Sequence, residues 1–372
     1  MLPSTISDCI PGVFSARQLQ ILCEEGWIHN VTTFDHSSVD LTLSGEAYLM
    51  SEGAVKPFGK EYSHFLSSQR DICKRQEFDQ DETLKLKKKH TYVFKLEQYL
   101  DRELLTNEVY GQATAKSSIG RVDVLARLIV EGMDTYESFD RAAENGNGQL
   151  FLEVTPITFD VRVKIGSSLS QLRLFYGMPD DVLMRGNELY ESVHIPNGSL
   201  RADLTDIAIG EANGCTFCAS SETDQQPIPL WKTDNPPDPK KYWRVAKSIR
   251  LGTKNYLQIR KEQFYLLRSK EKIALPAGIA VYCRATDETI GEMRIHYAGF
   301  VHPWFGRDRR DRQIGTPLIF EVRGHDVEVL LNDSERMARL FFYRMSEDCE
   351  KPKPGDYSDQ TLRLSKFFAD WK

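Results

Sequence analysis

The chain repeats itself, and the repeat limits what it can fold into. "VYGQATAKSSIGR", beginning at Val109, returns as "VYCRATDETIGE" from Val281, sharing Val-Tyr, Ala-Thr and Ile-Gly with one residue dropped between. "SSVDLTLSG" (37–45) has a weaker echo in "SLRADLTD" (199–206), each carrying Asp-Leu-Thr. "DVRVKIGSSLSQLRLF" (160–175) aligns without a gap on "DVEVLLNDSERMARLF" (326–341). Upstream of these, "GQLFLEV" (148–154) parallels "TPLIFEV" (316–322) and sets Glu153 opposite Glu321. Four matched blocks in one order read as an ancient duplication. The fold must then be one that half the chain can complete, built twice: residues 1–180, a linker at 181–198, and residues 199–372.

Each half reads as mainly β. "DVRVKI" and "DVEVLL" alternate as half-buried strands do, while "LFLEV" and "LIFEV" are continuous enough to be buried on both faces. Turn residues separate them at short intervals, as in "AENGNG" and "LNDSE". A few short helices interrupt. "SARQLQILCEEG" has Ser15 and Gln18 at capping-box spacing and stops at Gly26. In "SSIGRVDVLARLIVE", Ile119, Val122, Leu125 and Ile129 suit one face of a helix, and the alternation of "VDVLARLIV" suits a strand. "DDVLMRGNELYESVHIPNG" reads as a short helix and linker, and "TDNPPDPKK" (233–241) as a proline-rich loop.

Composition excludes several classes of function. At 372 residues with 41% hydrophobic and 27% charged content, the chain suits two globular domains. A net charge of −6 disfavours nucleic acid as a partner, and the two dense basic runs, "LKLKKKH" and "RDRRDR", read as solvated loops or strand edges. No apolar run spans a bilayer, and "MLPSTISDCIPG" lacks the regions of a signal peptide. Seven cysteines without regular spacing fit a reducing cytoplasm. The lone Cys215/Cys218 pair lacks the second pair or the histidines of a zinc site, and reads as structural.

Three elements carry chemistry. "KSSIGR" (116–121) sets two serine hydroxyls, a glycine and two cations at the start of a helix, a pattern for phosphate oxygens. The same letters also describe an ordinary Ser N-cap with a surface arginine. "HYAGFVHPWFG" (296–306) suggests a tight hairpin exposing backbone to a flat ligand, or a purely structural one. Glu153 and Glu321 sit inside apolar strands: turned outward they meet solvent, and facing a closed pocket they gain a raised pKa suited to proton shuttling.

In this order the three elements resemble the dCTP deaminase branch of the dUTPase-like superfamily, the two-domain bacterial type in particular. "KSSIGR" matches its Arg-Ser-Ser-x-x-Arg motif with Lys116 for the leading Arg. "AGFVHPWF" resembles its Ala-x-x-Ile-Asp-Pro-Gly-Trp hairpin, with His302 for Asp and Trp304 for Gly. "IFEV" at Glu321 and "FLEV" at Glu153 are similar to its catalytic strand, and Tyr357, Gln360 and Ser365 to its C-terminal tail.

The resemblance implies two tandem distorted, jelly-roll-like β-barrels and hydrolytic deamination of dCTP to dUTP in pyrimidine deoxynucleotide supply. Glu321 would be general base without a transition metal, and Ser117 with the Ala298 backbone would hold the attacking water. Lys116, Ser118 and Arg121 would bind phosphates, Phe300 and His302 the nucleoside, and Tyr357 and Gln360 would close over it. Mg2+ would accompany the triphosphate as counter-ion. Zinc deaminases carry His-x-Glu and Pro-Cys-x-x-Cys instead, and this sequence has no such pattern. In the family the phosphate motif of one subunit meets the hairpin and glutamate of its neighbour. Here the first copy keeps "SSIGR" but has "LIVEGMDTYES" in the hairpin's place. The second keeps the hairpin but has "ETIGE", whose Glu288 and Glu292 would repel a triphosphate.

A composite site follows, with Ser117, Ser118 and Arg121 facing Ala298 and Glu321, and Glu153 marking a possible second site. A homo-oligomer is expected, a trimer of two-domain chains or a dimer. Two other functions fit the same residues: a dUTP diphosphatase, alone or after deamination, and a non-catalytic nucleotide-binding protein.

Overall fold

The computed structural model describes residues 2–6, 8–140, 143, 146–193, 195–220, 222, 225–285, 293–295, 299–308, 310, 312–351 and 361–372. Among them β-strands dominate and the helices are short. In the first copy the strand order is Ser138–Phe139, Val109–Ala115, Ser168–Tyr176, Ser38–Met50, Thr91–Leu100, Gln149–Pro156, Val124–Val130. In the second copy Gly299–Val301, Ile279–Ala285, Arg336–Arg344, Ser199–Asp203 and Phe264–Ile273 follow the same order. Thr316–Gly324 then pairs with Phe264–Ile273 and with Met293–Ile295, completing the match. Every pairing of this set is antiparallel, and each sheet curls into a barrel-like layer over its own buried leucines and valines. The repeat in the sequence is therefore a repeat in topology.

Local chemistry explains the elements. Ser15 and Gln18 form a full capping box for the helix Ala16–Glu24, which turns off at Gly26 with φ of 77°. In Val161–Lys164 the two valines are buried and the basic residues half-buried, as a period of two requires. The longer helix expected from "SSIGRVDVLARLIVE" does not form. Helix is confined to the single turn Ser117–Gly120, Asp123 adopts φ of 58°, and Val124–Val130 is a strand. Strand alternation prevails there because pairing on Gln149–Pro156 buries Val124, Ala126 and Leu128 completely or nearly so.

The two copies interlock. Ile228–Pro229 of the second copy adds a parallel strand to Val161–Lys164 of the first. Ser346 N–H donates to the Val13 carbonyl at 2.9 Å. Between the copies, Leu183–Met184 pairs with Phe342 and Tyr343, so residues 181–198 extend the second sheet as well as connecting. The C-terminal segment packs into a core shared by both copies, which Leu362, Leu364, Phe367 and Phe368 join, Phe368 against Tyr242 and Trp243. A buried ion pair bridges the copies, Arg323 to Asp123, and Arg323 also donates to the Glu262 carbonyl at 2.6 Å. All seven cysteines are free thiols. No helix among the described residues is long and apolar enough to cross a membrane.

Candidate active site

Of the residues singled out in the sequence, those of the phosphate motif, Phe300, His302, Glu321 and Ser365 line one cavity between the copies, within one chain, and Glu153 does not line it. A cavity of about 340 Å3 is lined by Lys116, Ser117, Ser118 and Arg121 of the first copy and by Phe300, His302 and Glu321 of the second. That volume lies in the range of small-molecule sites. Ala298, Tyr357 and Gln360, and the glutamates 288 and 292, lie outside the described residues.

The phosphate-motif turn is held from below and from the tail. Ile119 and Gly120 are buried, and Lys116 N–H donates to the Leu169 carbonyl at 3.0 Å. Arg121 donates to the Arg363 carbonyl at 3.2 Å, and Ser365 Oγ donates to the Ser118 carbonyl at 2.7 Å. Lys116 Nζ is 2.5 Å from Asp40 Oδ2. Its charge is therefore partly balanced by that carboxylate.

The two glutamates have different surroundings. Glu153 is 1% exposed, and Arg127 grips its Oε1, with Nε at 3.1 Å. Tyr136 OH donates to its Oε2 at 2.9 Å, and the Arg127 guanidinium lies 4.1 Å over the Tyr136 ring. Glu321 is 6% exposed, lines the cavity, and has no hydrogen bond to another side chain among the described residues. Burial pushes its pKa up to about 8, opposed by Arg121 and assisted by Asp123. A carboxyl of that kind can take and return a proton near neutral pH.

The hairpin is fixed by a chain of polar groups of which the sequence reading singled out only His302. Gly299–Val301 pairs with Tyr282 and its neighbours, and His302 follows at the turn. His302 Nε2 lies 3.4 Å from Asp35 Oδ2, and its Nδ1 lies 3.2 Å from Ser37 Oγ. Arg173, fully buried, donates to Ser37 Oγ at 3.2 Å and to the Val281 carbonyl at 3.1 Å. Its guanidinium also stacks 3.9 Å above the Phe300 ring. Burial lowers Arg173 to about 9 and His302 to about 4, Asp35 opposing the latter. Asp35 is held below the usual carboxylate range: burial works against this, but His302, His36 with its backbone N–H, and Lys116 together outweigh it. Trp304 adopts φ of 70°, the region glycine usually fills. It is held there by its indole N–H donating to the Cys349 carbonyl at 2.9 Å.

Arg173 belongs to a repeated block, but its match, Arg339, is exposed, so the repeat alone could not mark it. Asp35 and Ser37 stand in "FDHSSVD", where only the three-dimensional contact with His302 gives them meaning. Among the described residues no group of three or more His, Cys, Asp and Glu side chains stands together as a metal ligand set would.

Comparison with known proteins points the same way. The N-terminal domain of the 2'-deoxycytidine 5'-triphosphate deaminase family matches residues 10–178, and its C-terminal domain matches residues 215–368. No curated protein sequence matches. Among solved structures, the crystal structure of 2'-deoxycytidine 5'-triphosphate deaminase from Agrobacterium tumefaciens superposes with a TM-score of 0.78. The superposition covers 91% of this chain and 97% of that one at 23% identity, a likeness of fold.

Proposed function

The chain belongs to the two-domain dCTP deaminase family, and from that premise we propose that it converts dCTP and water to dUTP and ammonia at the seam between its copies. The observation that carries this reading is Glu321. It is a buried carboxyl with no side-chain hydrogen bond among the described residues, on the wall of a cavity that Ser117, Ser118 and Arg121 also line.

The steps use this chain's own groups. Arg121 and the serine hydroxyls take the phosphates, and Mg2+ arrives with the triphosphate as its counter-ion. Glu321 accepts a proton from a water as the water oxygen bonds to the cytosine carbon bearing the amino group. The proton passes to the adjacent ring nitrogen, so water has added across the C=N bond. Glu321 then moves the adduct's hydroxyl proton to the amino group. The carbon–nitrogen bond breaks, ammonia leaves, and the ring carbonyl of dUTP forms. Ser117 stands on the cavity wall where it can hold that water. Glu153 has both oxygens occupied by Arg127 and Tyr136, which suits a structural charge, so the working glutamate is Glu321.

The test is product analysis of dCTP incubated with the purified chain and magnesium. Ammonia with dUTP is expected, and its loss in Glu321→Gln but not in Glu153→Gln locates the base. Appearance of dUMP and pyrophosphate would add a diphosphatase activity. Unchanged dCTP would leave a nucleotide-binding protein.

A further inference from the structure

Among the described residues the cavity is lined by one carboxyl group besides Glu321, and the proton-shuttling scheme does not use it. Asp35 comes from the short strand Phe34–Asp35 of the first copy and lines the same cavity as His302. In the aligned blocks, where Asp40-Leu-Thr matches Asp203-Leu-Thr, Asp35 falls opposite Gly198, so the second copy has no counterpart carboxylate.

The protons around Asp35 can be placed by chemistry. A guanidinium only donates, so Ser37 Oγ accepts from Arg173 at 3.2 Å. The single hydroxyl proton of Ser37 is then free to go to His302 Nδ1, 3.2 Å away. In that tautomer the ring carries its own proton on Nε2, which faces Asp35 Oδ2 at 3.4 Å. Asp35 Oδ1 meanwhile accepts the His36 backbone N–H at 2.8 Å. Each carboxylate oxygen can accept more than one bond, and the side chain is still 32% exposed on the cavity side of this chain of contacts.

Resting on the dCTP reading of this cavity, we propose that Asp35 is a specificity-determining residue. It accepts the hydrogen bond of the nucleotide's sugar hydroxyl, with His302, Ser37 and Arg173 holding it in place. A carboxylate accepts and cannot donate. The phosphates of a nucleotide would be repelled by it, and the amino group of the base is required at Glu321. The sugar hydroxyl is the remaining donor. The family's hairpin places an aspartate where this chain has His302. Here the carboxylate comes instead from the other copy, and the histidine aims at it.

The experiment compares binding of dCTP and 2',3'-dideoxy-CTP, which lacks the hydroxyl, to the full chain and to Asp35→Asn by calorimetry. Melting temperatures serve as a check on folding. A hydrogen bond to a charged acceptor corresponds to a preference for dCTP of about 10- to 100-fold, and Asp35→Asn should bring it to within about twofold of unity. A ratio unchanged in Asp35→Asn overturns the assignment. So does a wild type that binds neither nucleotide, which removes the dCTP reading as well. Turnover is measured in parallel. Discrimination that depends on Asp35 without any ammonia release would uphold this inference while sinking deamination, so the two failures are separable. His302→Gln provides a second variant. It removes the Nε2–H aimed at Asp35, and a loss of preference smaller than that of Asp35→Asn marks it as a positioning residue.

Discussion

Glu153 and Glu321 occupy one position in two copies of one fold, yet among the described residues only Glu153 has hydrogen bonds from other side chains. Each sits on a strand that pairs with a ten-residue strand of its copy, Glu153 opposite Val93 and Glu321 opposite Leu266. The difference lies on the other flank. Arg127 stands directly across from Glu153, and Tyr136 returns to its second oxygen. In the second copy that flanking strand pairs as far as Ile295 with Val322, and the sequence continues as His-Tyr-Ala, without an arginine. A buried carboxylate that is gripped on both oxygens serves the structure, whereas one facing an open cavity has its proton affinity raised. Duplication let one copy neutralise its glutamate and the other keep it available.

The largest expected effect tests that division. Glu321→Gln should lower kcat by about 10²- to 10⁴-fold, the range for loss of a general base. Glu153→Gln should keep kcat within severalfold but destabilise the protein by about 1–3 kcal/mol, since Arg127 loses a charged acceptor. Steady-state kinetics and denaturant titration read the two quantities. Equal loss of turnover in both variants would erase the distinction between the copies.

A second effect follows from the raised Glu321 pKa. The base must be ionised in the free enzyme, so kcat/KM should climb about tenfold per pH unit and level off near pH 8. Glu153→Gln should retain this profile. A wild-type profile already flat from pH 5 upward would show that no group raised to about 8 controls the reaction.

The same shift has a smaller consequence for stability, of opposite sign to that of Glu153→Gln. Between the ordinary carboxylate value and about 8, the unfolded chain ionises at residue 321 while the folded chain keeps it protonated. Stability present at low pH is therefore lost as pH rises through that window. Glu321→Gln has no such loss, so its melting temperature should exceed that of wild type by a margin that grows from pH 5 to pH 8. A constant margin across that window would contradict the buried, raised carboxyl.

Much of this could be read from the letters. The duplication, the strands bearing both glutamates and the capping box at Ser15 rest on local pattern, which a sequence displays, whereas the pairing of "KSSIGR" with the hairpin was expected only from the family resemblance. The length of the helix after Ser117 did not. Ile119, Val122 and Leu125 fit a helical face, and only pairing with the Glu153 strand decides for a strand. The Arg173–Ser37–His302–Asp35 chain was equally hidden, because its members are separated by more than 250 residues at the extremes and meet only when the copies dock. Arg127 was visible as a letter, but its role depends on cross-strand register. Partners set by tertiary contact rather than spacing are what sequence periodicity does not encode.

The smallest effect concerns how the tail joins the two halves of the site. Ser365 Oγ donates to the Ser118 carbonyl at 2.7 Å, and the flanking Leu364 is buried in the core shared by both copies. The contact fixes the turn that faces Glu321 without touching the base itself. Replacing Ser365 with Ala removes one partly buried hydrogen bond, worth about 1 kcal/mol, or about fivefold in an equilibrium constant. If that bond orders the turn for the phosphates, KM for dCTP should rise by roughly this factor with kcat unchanged, whereas Glu321→Gln acts on kcat. A Ser365→Ala variant that lowers kcat at constant KM would instead place the tail on the chemical step, and the tail would then belong with Glu321 rather than with the phosphate turn.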